Sequence, residues 1–317
     1  MEIWIDRTFG HFLKGGIELG NIAAMYHYVR EKKGWDGIVP MHPHDFEEQL
    51  DLISKTHRII SLDEIDKFNS EPWCVLTFDD GTKDQYTFAF DILKKKGIPA
   101  YFTIMSGPHI TGNIPLVHLV HTVLSFKSDE EIWELLSGMY DTCGVEEESQ
   151  IYKYEQNKLR RYNKFMLNFK LSVTEATIFL ESIFQSLFPD KYKFINDFYI
   201  STEEIVEMSQ AGMTIGVHAH NHIPYNGDPQ EFYDIEIGPC KDWMKSVLGI
   251  NPIWYTPAFG GGVNQKLMLD KLTPVLVQNG FVGAFSTREG EISDNREFWM
   301  DRIDCIRLPP LGTSSYL

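Results

Sequence analysis

The sequence predicts an α/β fold that contains a parallel sheet, and three observations support this prediction. An uninterrupted apolar run, Trp73–Phe78, predicts a strand that is buried on both faces. A helical pattern follows over Asp84–Lys96 and ends at Gly97, and Pro99–Met105 predicts the next strand. A strand, a helix and a second strand in this order form a crossover unit, which makes the two strands parallel.

The elements before this unit also follow from local patterns. Phe46, Leu50 and Ile53 recur at helical spacing within Pro43–Thr56, so this segment predicts an amphipathic helix. Arg58–Leu62 predicts a short strand that leads into a second helix.

Residues 106–200 differ in character, because they are dominated by helical patterns. We expect this block to be an insertion, with helices at Asp129–Tyr140, Glu146–Phe169 and Ser172–Phe188. The sheet resumes beyond it, and the later strands are expected at Met213–Val217, Asn251–Thr256, Phe281–Ser286 and Arg302–Leu308.

Composition restricts the class of protein. The 317 residues are 43% hydrophobic and 23% charged, which is typical of a globular protein. A formal charge of −16 argues against nucleic acids and anionic membrane surfaces as partners. The four cysteines lack the C-x-x-C spacing of zinc knuckles and redox pairs. Met1–Arg7 does not have the pattern of a signal peptide, and no apolar run reaches about eighteen residues, so we expect a cytoplasmic protein without a membrane span.

Two adjacent acids, Asp79 and Asp80, follow the apolar run and precede Gly81. Neighbouring carboxylates at the end of a buried strand repel each other and are costly to desolvate unless a positive group lies beside them. At the carboxyl end of a parallel strand, that group is often a metal or a substrate. The simpler explanation is a solvated turn, because Asp-Gly is a common turn dipeptide.

A second polar stretch follows another predicted strand. His218, His220 and His222 come directly after Met213–Val217. His218 and His222, with one carboxylate, would form a three-ligand metal set that leaves a coordination position open for water or substrate. Polar loop residues are the simpler explanation for any single histidine, but the pair and the Asp-Asp exit favour a metal site.

These motifs resemble those of the polysaccharide deacetylase family, also called carbohydrate esterase family 4 or the NodB homology domain. The resemblance lies in TFDDG at Thr77–Gly81 and HAHNH at His218–His222, and Trp254–Gly260 is similar to a degenerate third motif. It implies a distorted, incomplete (β/α) barrel of about seven strands. It further implies one catalytic domain over 1–317, with 106–200 inserted, and a metal-dependent hydrolase that removes an N-acetyl group from an amino sugar or saccharide.

The resemblance also implies roles for individual residues. Asp80, His218 and His222 would bind a divalent metal ion, with zinc favoured over cobalt, nickel or iron, and Asp79 would be the general base. The backbone N–H of Phe259 would be an oxyanion donor. A cytoplasmic member would act on a carbohydrate precursor in surface polysaccharide assembly.

The general acid departs from the common pattern, because no histidine follows His222. In a subset that resembles circular permutants, such as the poly-N-acetylglucosamine deacetylases, a Tyr-His segment near the N terminus supplies the acid. Tyr26-His27 fits that segment, so His27 is the predicted acid. The alternative is His42 or His44, although a solvated loop is the simpler explanation for those two residues.

The third motif lacks the arginine that normally orients the base, and Tyr255 or Thr256 occupies its place. Arg302 could supply the charge from the last strand; the alternative is a surface ion pair with Asp301 or Asp304.

The aromatic side chains of the third motif have two explanations. Trp254, Tyr255 and Phe259 could stack on a sugar ring, or they could belong to the core.

His118 and His121 could bind a metal, but a helix turn explains their spacing.

Three functional alternatives remain open from the sequence. One is hydrolysis of an O-acetyl or another acyl group, and another is a saccharide-binding protein that has lost catalysis. The third is a non-haem iron oxygenase, which also uses two histidines and one carboxylate.

Overall fold

The computed structural model describes residues 4–6, 11–14, 17–65, 71–293, 297–313 and 316–317. The chain divides into two compact units. The sheet unit comprises residues 1–31, 41–110 and 198–317, and the helical unit comprises residues 32–40 and 111–197. The helical unit therefore includes residues 32–40, a segment that the helical patterns of 106–200 do not indicate.

The sheet unit contains two sheets. The small one is antiparallel and consists of β1 (Trp4–Asp6), β2 (His11–Lys14) and β3 (Ile17–Glu18). The main one consists of β4 (Ile22–Tyr26), β5 (Arg58–Ile59), β6 (Trp73–Phe78), β7 (Tyr101–Met105), β8 (Thr214–Ala219), β9 (Trp254–Tyr255), β10 (Gly283–Phe285), β11 (Trp299–Met300) and β12 (Ile303–Asp304). Its order is β11-β10-β9-β8-β7-β6-β4-β12, β5 pairs with β6, and all pairings are parallel.

The main sheet curls into an incomplete barrel. β11 and β12 lie at opposite ends of the strand order, yet Met300 and Ile303 are separated by only Asp301 and Arg302. Three residue steps span about 10 Å, so the two edges of the sheet must lie close together. This confirms the predicted barrel. The sheet has nine strands instead of about seven, since several strands have two residues and carry no recognisable apolar run.

The predicted central strand, β6, is buried on both faces. Trp73 and Val75 belong to one hydrophobic cluster, and Cys74, Leu76 and Phe78 belong to the other. Alternate residues of a strand point to opposite faces, so β6 separates two cores, as its uninterrupted apolar sequence predicts.

Stacked aromatic rings connect β6 to the strands on either side of it. The Phe78 ring stacks between Tyr26 of β4, at 4.9 Å, and Phe102 of β7, at 4.5 Å between ring centroids. This ladder fixes the register at the strand ends, immediately before the adjacent acids.

The helices of the sheet unit are α1 (Pro43–Ile53), α2 (Asp91–Lys96), α3 (Gly107–Ile110), α10 (Thr202–Gln210), α11 (Pro229–Phe232), α12 (Gly238–Trp243) and α13 (Gln265–Gln278). Three π-helical turns continue them, at Gln85–Phe90, Tyr233–Ile237 and Met244–Leu248, and 3₁₀ turns occur at Leu62–Glu64, Ala258–Asn264 and Cys305–Arg307. Pro239 lies in the first turn of α12, directly after a π-helical turn, where the missing N–H is tolerated.

The helical unit contains α4 (Leu116–Phe126), α5 (Asp129–Met139), α6 (Val145–Glu148), α7 (Lys158–Phe165), α8 (Val173–Leu187) and α9 (Lys191–Phe198), the last residue of which belongs to the sheet unit. The single helix predicted over 146–169 is wrong. A 3₁₀ turn at Ser149–Tyr152 ends the first part, and the Asn157 side chain caps α7 by accepting from the N–H of Leu159.

None of the helices in the described parts of the chain is long and apolar enough to span a membrane.

Candidate functional site

The predicted functional residues meet at one end of the barrel, because each follows or ends a parallel strand. The residues are His27 after β4, Asp79 and Asp80 after β6, His218 in β8, His222 beyond β8, and Arg302 between β11 and β12. The carboxyl ends of the strands in a parallel barrel lie at the same face, where active sites are found.

Asp80, His218 and His222 form a buried three-residue cluster. The Asp80 Oδ1 atom lies 3.1 Å from Nε2 of His218 and 3.4 Å from Nε2 of His222. Each residue offers one ligand atom, and these atoms lie within 4.8 Å of one another. If these three residues held a tetrahedral metal ion, one coordination position would stay open, as in catalytic zinc sites.

A hydrogen bond fixes the tautomer of His218 and leaves Nε2 as the ring nitrogen that can bind a cation. Nδ1 lies 2.8 Å from the carbonyl oxygen of Thr256, which can only accept, so Nδ1 carries the proton. In the neutral ring, the lone pair of Nε2 then faces the Asp80 carboxylate. Burial alone would lower the pKa of His218, but Asp80 and Asp79 outweigh it and raise the pKa above its ordinary value. The site therefore attracts positive charge, and its N₂O donor set fits a divalent metal ion.

The backbone at the cluster is strained. Asp80 has φ 78°, His222 has φ 59° and Phe259 has φ 51°. Within the described ranges, these are the three non-glycine residues with positive φ. Left-handed backbone costs about 1–2 kcal/mol for an ordinary L-residue, and such strain concentrates at functional sites.

Asp79 lies beside the cluster and is held mainly through one oxygen. Its Oδ1 accepts from Nη1 of Arg302 at 2.8 Å and from Oγ1 of Thr103 at 3.3 Å. Its Oδ2 lies 3.9 Å from Nε2 of His27, whose side chain is 45% exposed. Burial raises the pKa of Asp79, but Arg302, followed by His218, outweighs burial and lowers the pKa below its ordinary value. Asp79 is therefore ionised at neutral pH.

Arg302 resolves the question that the third motif left open. The side chain is buried, and Nε donates to the carbonyl of Ser286 at 2.9 Å while Nη1 pairs with Asp79. The surface ion pair considered for Arg302 is wrong. Asp301 pairs with Arg288 instead, at 2.8 Å.

Gln85 links the segments that carry the two catalytic candidates, and sequence reasoning missed it. Its Nε2 donates to the carbonyl of His27 at 2.8 Å and also to the carbonyl of Asp79. Gln85 is fully buried, so its amide holds these two strand ends together. A polar residue at the start of a helix was the only sequence signal.

Asp84 is a second missed residue near the site. Its Oδ2 accepts from the N–H of Val29 at 2.6 Å, two residues beyond His27. Burial raises the pKa of the Asp84 carboxyl group to about 6, although hydrogen bonds from Thr82 and Val29 oppose the shift.

This raised pKa predicts how Asp84→Asn changes stability with pH in the metal-free protein. Between the unfolded pKa and about 6, folded Asp84 binds more protons than the unfolded form, so its contribution to stability falls as pH rises through this window. Asparagine removes this dependence. Relative to the parent, the variant should gain up to roughly 3 kcal/mol between pH 4 and pH 7. Urea unfolding at both pH values measures the difference; a pH-independent difference would contradict the assignment.

The structure corrects the prediction that Tyr255 contacts substrate. Tyr255 is fully buried and packs against Phe281 and Trp299, and Trp254 also lies in a core cluster. Neither ring presents a face to a sugar. Phe259 differs, because the residue is 46% exposed and its ring lies edge-on to His222, at 4.6 Å between ring centroids.

The alternative histidines have other environments. His42 caps α1 by accepting from the N–H of His44, and His44 is exposed beside Asp45. His118 and His121 lie on α4, with ring centroids 6.3 Å apart, and neither belongs to a three-ligand group within the described part of the chain.

Comparisons with known proteins agree with this geometry. Residues 172–275 match the family model described as polysaccharide deacetylase. This range includes HAHNH and the third motif, whereas TFDDG precedes it. No curated protein matches the chain by sequence.

Solved structures share the fold. IcaB from Ammonifex degensii is 16% identical with a TM-score of 0.55, over 90% of this chain and 91% of that one. The Streptococcus pyogenes deacetylase PplD, in complex with acetate, is 16% identical with a TM-score of 0.55, over 93% and 95% of the respective chains. A polysaccharide deacetylase from Bacillus cereus is 14% identical with a TM-score of 0.50, over 90% of this chain and 64% of that one.

At these identities, the structural likeness establishes the fold and no more. The family match covers the segment that carries His218 and His222, and TFDDG, which lies outside the match, contributes Asp80 to the same cluster. Residues 172–275 are thus similar to the polysaccharide deacetylase family, and the chain shares its fold with the solved structures above.

Proposed function

We propose that the protein is a metal-dependent hydrolase that removes an N-acetyl group from an amino sugar or saccharide. The observation that carries this proposal is the buried Asp80–His218–His222 cluster, with the ionised Asp79 carboxylate beside it. The similarity of residues 172–275 to the polysaccharide deacetylase model supports a carbohydrate as the substrate class.

The three cluster residues would hold the metal ion, and zinc suits two imidazoles and one carboxylate. A divalent cation in such a site acts as a Lewis acid that polarises a carbonyl group and acidifies water. The protein supplies a rigid, largely buried set of ligands, since Thr256 fixes the His218 ring.

Asp79 is the proposed general base. Arg302 and Thr103 hold its Oδ1, so Oδ2 is the oxygen that faces His27. A carboxylate in this position accepts the proton of the attacking water, and Arg302 keeps it ionised and oriented. Arg302 thus takes the part that the resemblance assigns to the missing arginine of the third motif.

His27 is the proposed general acid, which protonates the leaving amine. Its ring is 45% exposed, so it is open to a substrate, and it lies 3.9 Å from Asp79. Gln85 fixes the backbone of His27 relative to that of Asp79. The acid and the base therefore lie side by side at the ends of adjacent strands.

His27→Ala should reduce kcat by roughly 10²–10⁴-fold, because the amine would leave without a positioned proton donor. Zn²⁺ binding should persist, because His27 is outside the ligand set. His44→Ala is the matched control, since His44 is also exposed but pairs with Asp45 on α1. Steady-state acetate release from both variants checks this. Equal loss in both variants, or none in His27→Ala, would argue against the assignment.

The backbone N–H of Phe259 is the proposed oxyanion donor. Phe259 is the second residue of the 3₁₀ turn Ala258–Asn264, and the first N–H groups of a helical turn have no carbonyl partner within it. The contact between its ring and His222 places this turn next to the cluster. Such donors stabilise negative charge that develops on a carbonyl oxygen.

The other functions have less support. The saccharide-binding alternative was motivated partly by the missing arginine, and buried Arg302 now provides that charge beside Asp79. Non-haem iron oxygenases typically have all-β double sheets, whereas this sheet is parallel.

O-acetyl hydrolysis would use the same residues, so a substrate panel has to separate it from N-deacetylation. We would incubate the Zn²⁺-loaded protein with N-acetylated amino-sugar oligomers and with O-acetylated oligosaccharides, with and without a chelator. The proposal predicts acetate and free amine in equal amounts from the first substrates, and loss of both products with the chelator. Acetate from the O-acetylated substrates alone would contradict it.

A further inference from the structure

A buried carboxylate, Glu236, lies behind the loop that carries His222. Glu236 belongs to the π-helical turn Tyr233–Ile237 and is 1% exposed. Its Oε1 accepts from the backbone N–H and the side-chain amide of Asn221, at 2.9 and 3.0 Å. Its Oε2 accepts from the N–H groups of Asn221, at 3.1 Å, and Ile223, at 3.3 Å.

These contacts lie on both sides of His222, a candidate metal ligand, because Asn221 and Ile223 are its neighbours in the chain. Burial raises the pKa of Glu236, and the interactions that oppose this shift come from the same loop, including the N–H of His222. Successive N–H groups that converge on one anion form an anion-binding concavity. Here the anion is a side chain of the protein itself.

This arrangement explains how the loop keeps a strained conformation. His222 has φ 59°, which costs about 1–2 kcal/mol and persists only where the surroundings over-determine the backbone. Glu236 fixes the backbone on both sides of His222. In that conformation, Nε2 of His222 lies 3.4 Å from Asp80.

His220, the residue before Asn221, is held by separate contacts. Nδ1 of His220 lies 2.9 Å from Oγ of Ser106, and the N–H of Gly107 donates to the carbonyl of His220 at 2.9 Å. A Cβ atom at residue 107 would lie 2.3 Å from that carbonyl oxygen, so the close approach requires glycine. Glu236 therefore controls the part of the loop that these contacts leave open, from Asn221 to Ile223.

We propose that Glu236 is a positioning residue that sets His222 in place for metal binding. The inference rests on the metal site of the proposed function and adds a residue that no motif contains. Partners that orient a metal ligand from outside the ligand set typically contribute 10–100-fold to metal affinity.

The test is the Zn²⁺ affinity of the full-length protein, measured by competition with a chelator of known affinity. Glu236→Gln keeps the size of the side chain but points an N–H₂ group at backbone donors. We expect affinity to fall about 10–100-fold. Asp234→Asn is the control, since it removes one negative charge from the same turn at an exposed position that contacts Gln230; its affinity should equal that of the parent.

Folding and Zn²⁺ binding are measured separately. Circular dichroism of the metal-free variants shows whether they fold. If Glu236→Gln does not fold, Glu236→Asp replaces it, because the shortened carboxylate cannot reach all of its partners, and it should also weaken Zn²⁺ binding.

A folded Glu236 variant that binds Zn²⁺ as tightly as the parent would overturn the inference. The titration of the parent reports on the metal site itself, and acetate release reports on the proposed function. A parent that binds Zn²⁺ but releases no acetate would refute the deacetylase proposal and leave the role of Glu236 standing.

Discussion

Asp80→Ala is expected to abolish stoichiometric Zn²⁺ binding and to reduce acetate release at least about 10³-fold, because the cation contributes several kcal/mol of transition-state stabilisation. Asp80 is the proposed ligand that contacts both histidines, since its Oδ1 lies within 3.4 Å of each Nε2 atom. Removing it leaves two imidazole rings with no carboxylate to offset the charge of the ion. Elemental analysis after dialysis, together with an acetate assay, measures both effects.

A second group of potential ligands provides the control for this experiment. His44, Asp45 and Glu48 lie close together on α1, but they are partly or fully exposed. His44→Ala should therefore retain one equivalent of tightly bound Zn²⁺ and parental activity. If Asp80→Ala retains the metal ion and His44→Ala loses it, the site has been assigned to the wrong cluster.

Asp79→Asn should give the opposite combination, with Zn²⁺ retained and turnover lost. The amide keeps an oxygen that can accept from Arg302, but it cannot take a proton from water at neutral pH. Loss of a general base typically costs 10²–10⁴-fold in rate. KM should change much less than kcat, because Asp79 is assigned to proton transfer and not to holding the saccharide.

The matched control for Asp79→Asn is Asp301→Asn. Asp301 also belongs to a carboxylate–arginine pair, but its partner is the half-exposed Arg288. This variant removes one charge near Arg302 without touching the base, and it should keep parental kcat. Full activity of Asp79→Asn would mean that another group takes the proton, and the assigned mechanism would then be wrong.

Much of the fold was predictable because it is encoded locally. The apolar run of β6 and the crossover unit that follows it identify a parallel sheet without knowledge of contacts between residues far apart in the sequence. The acids and histidines were recognisable for the same reason, since each motif lies at the end of its own strand. Parallel topology then brings the strand ends to one face.

The role of Arg302 depended on closure of the barrel, which no local pattern encodes. From sequence, the side chain had two equally good sets of partners. It becomes the partner of Asp79 because β11 and β12 occupy the two edges of the sheet, so the short link between them lies beside β4. From there the Arg302 side chain reaches Asp79 at the end of the next strand, β6. Tyr255 was misassigned for a related reason, because an aromatic residue at a strand end fits a core as well as a sugar site.

The residues that support the site were not predictable either. Gln85 and Glu236 contact backbone groups of the site segments, but neither residue belongs to a motif. A buried amide or carboxylate within a helical pattern gives no indication of its partner until the fold is known.

The most direct test of the central claim is an anomalous difference map at the zinc edge, from crystals grown with one equivalent of Zn²⁺. The account predicts one strong peak in contact with Asp80, His218 and His222, in protein that releases acetate from N-acetylated saccharides. A peak elsewhere, or no peak in crystals of protein that is active without added metal, would contradict it.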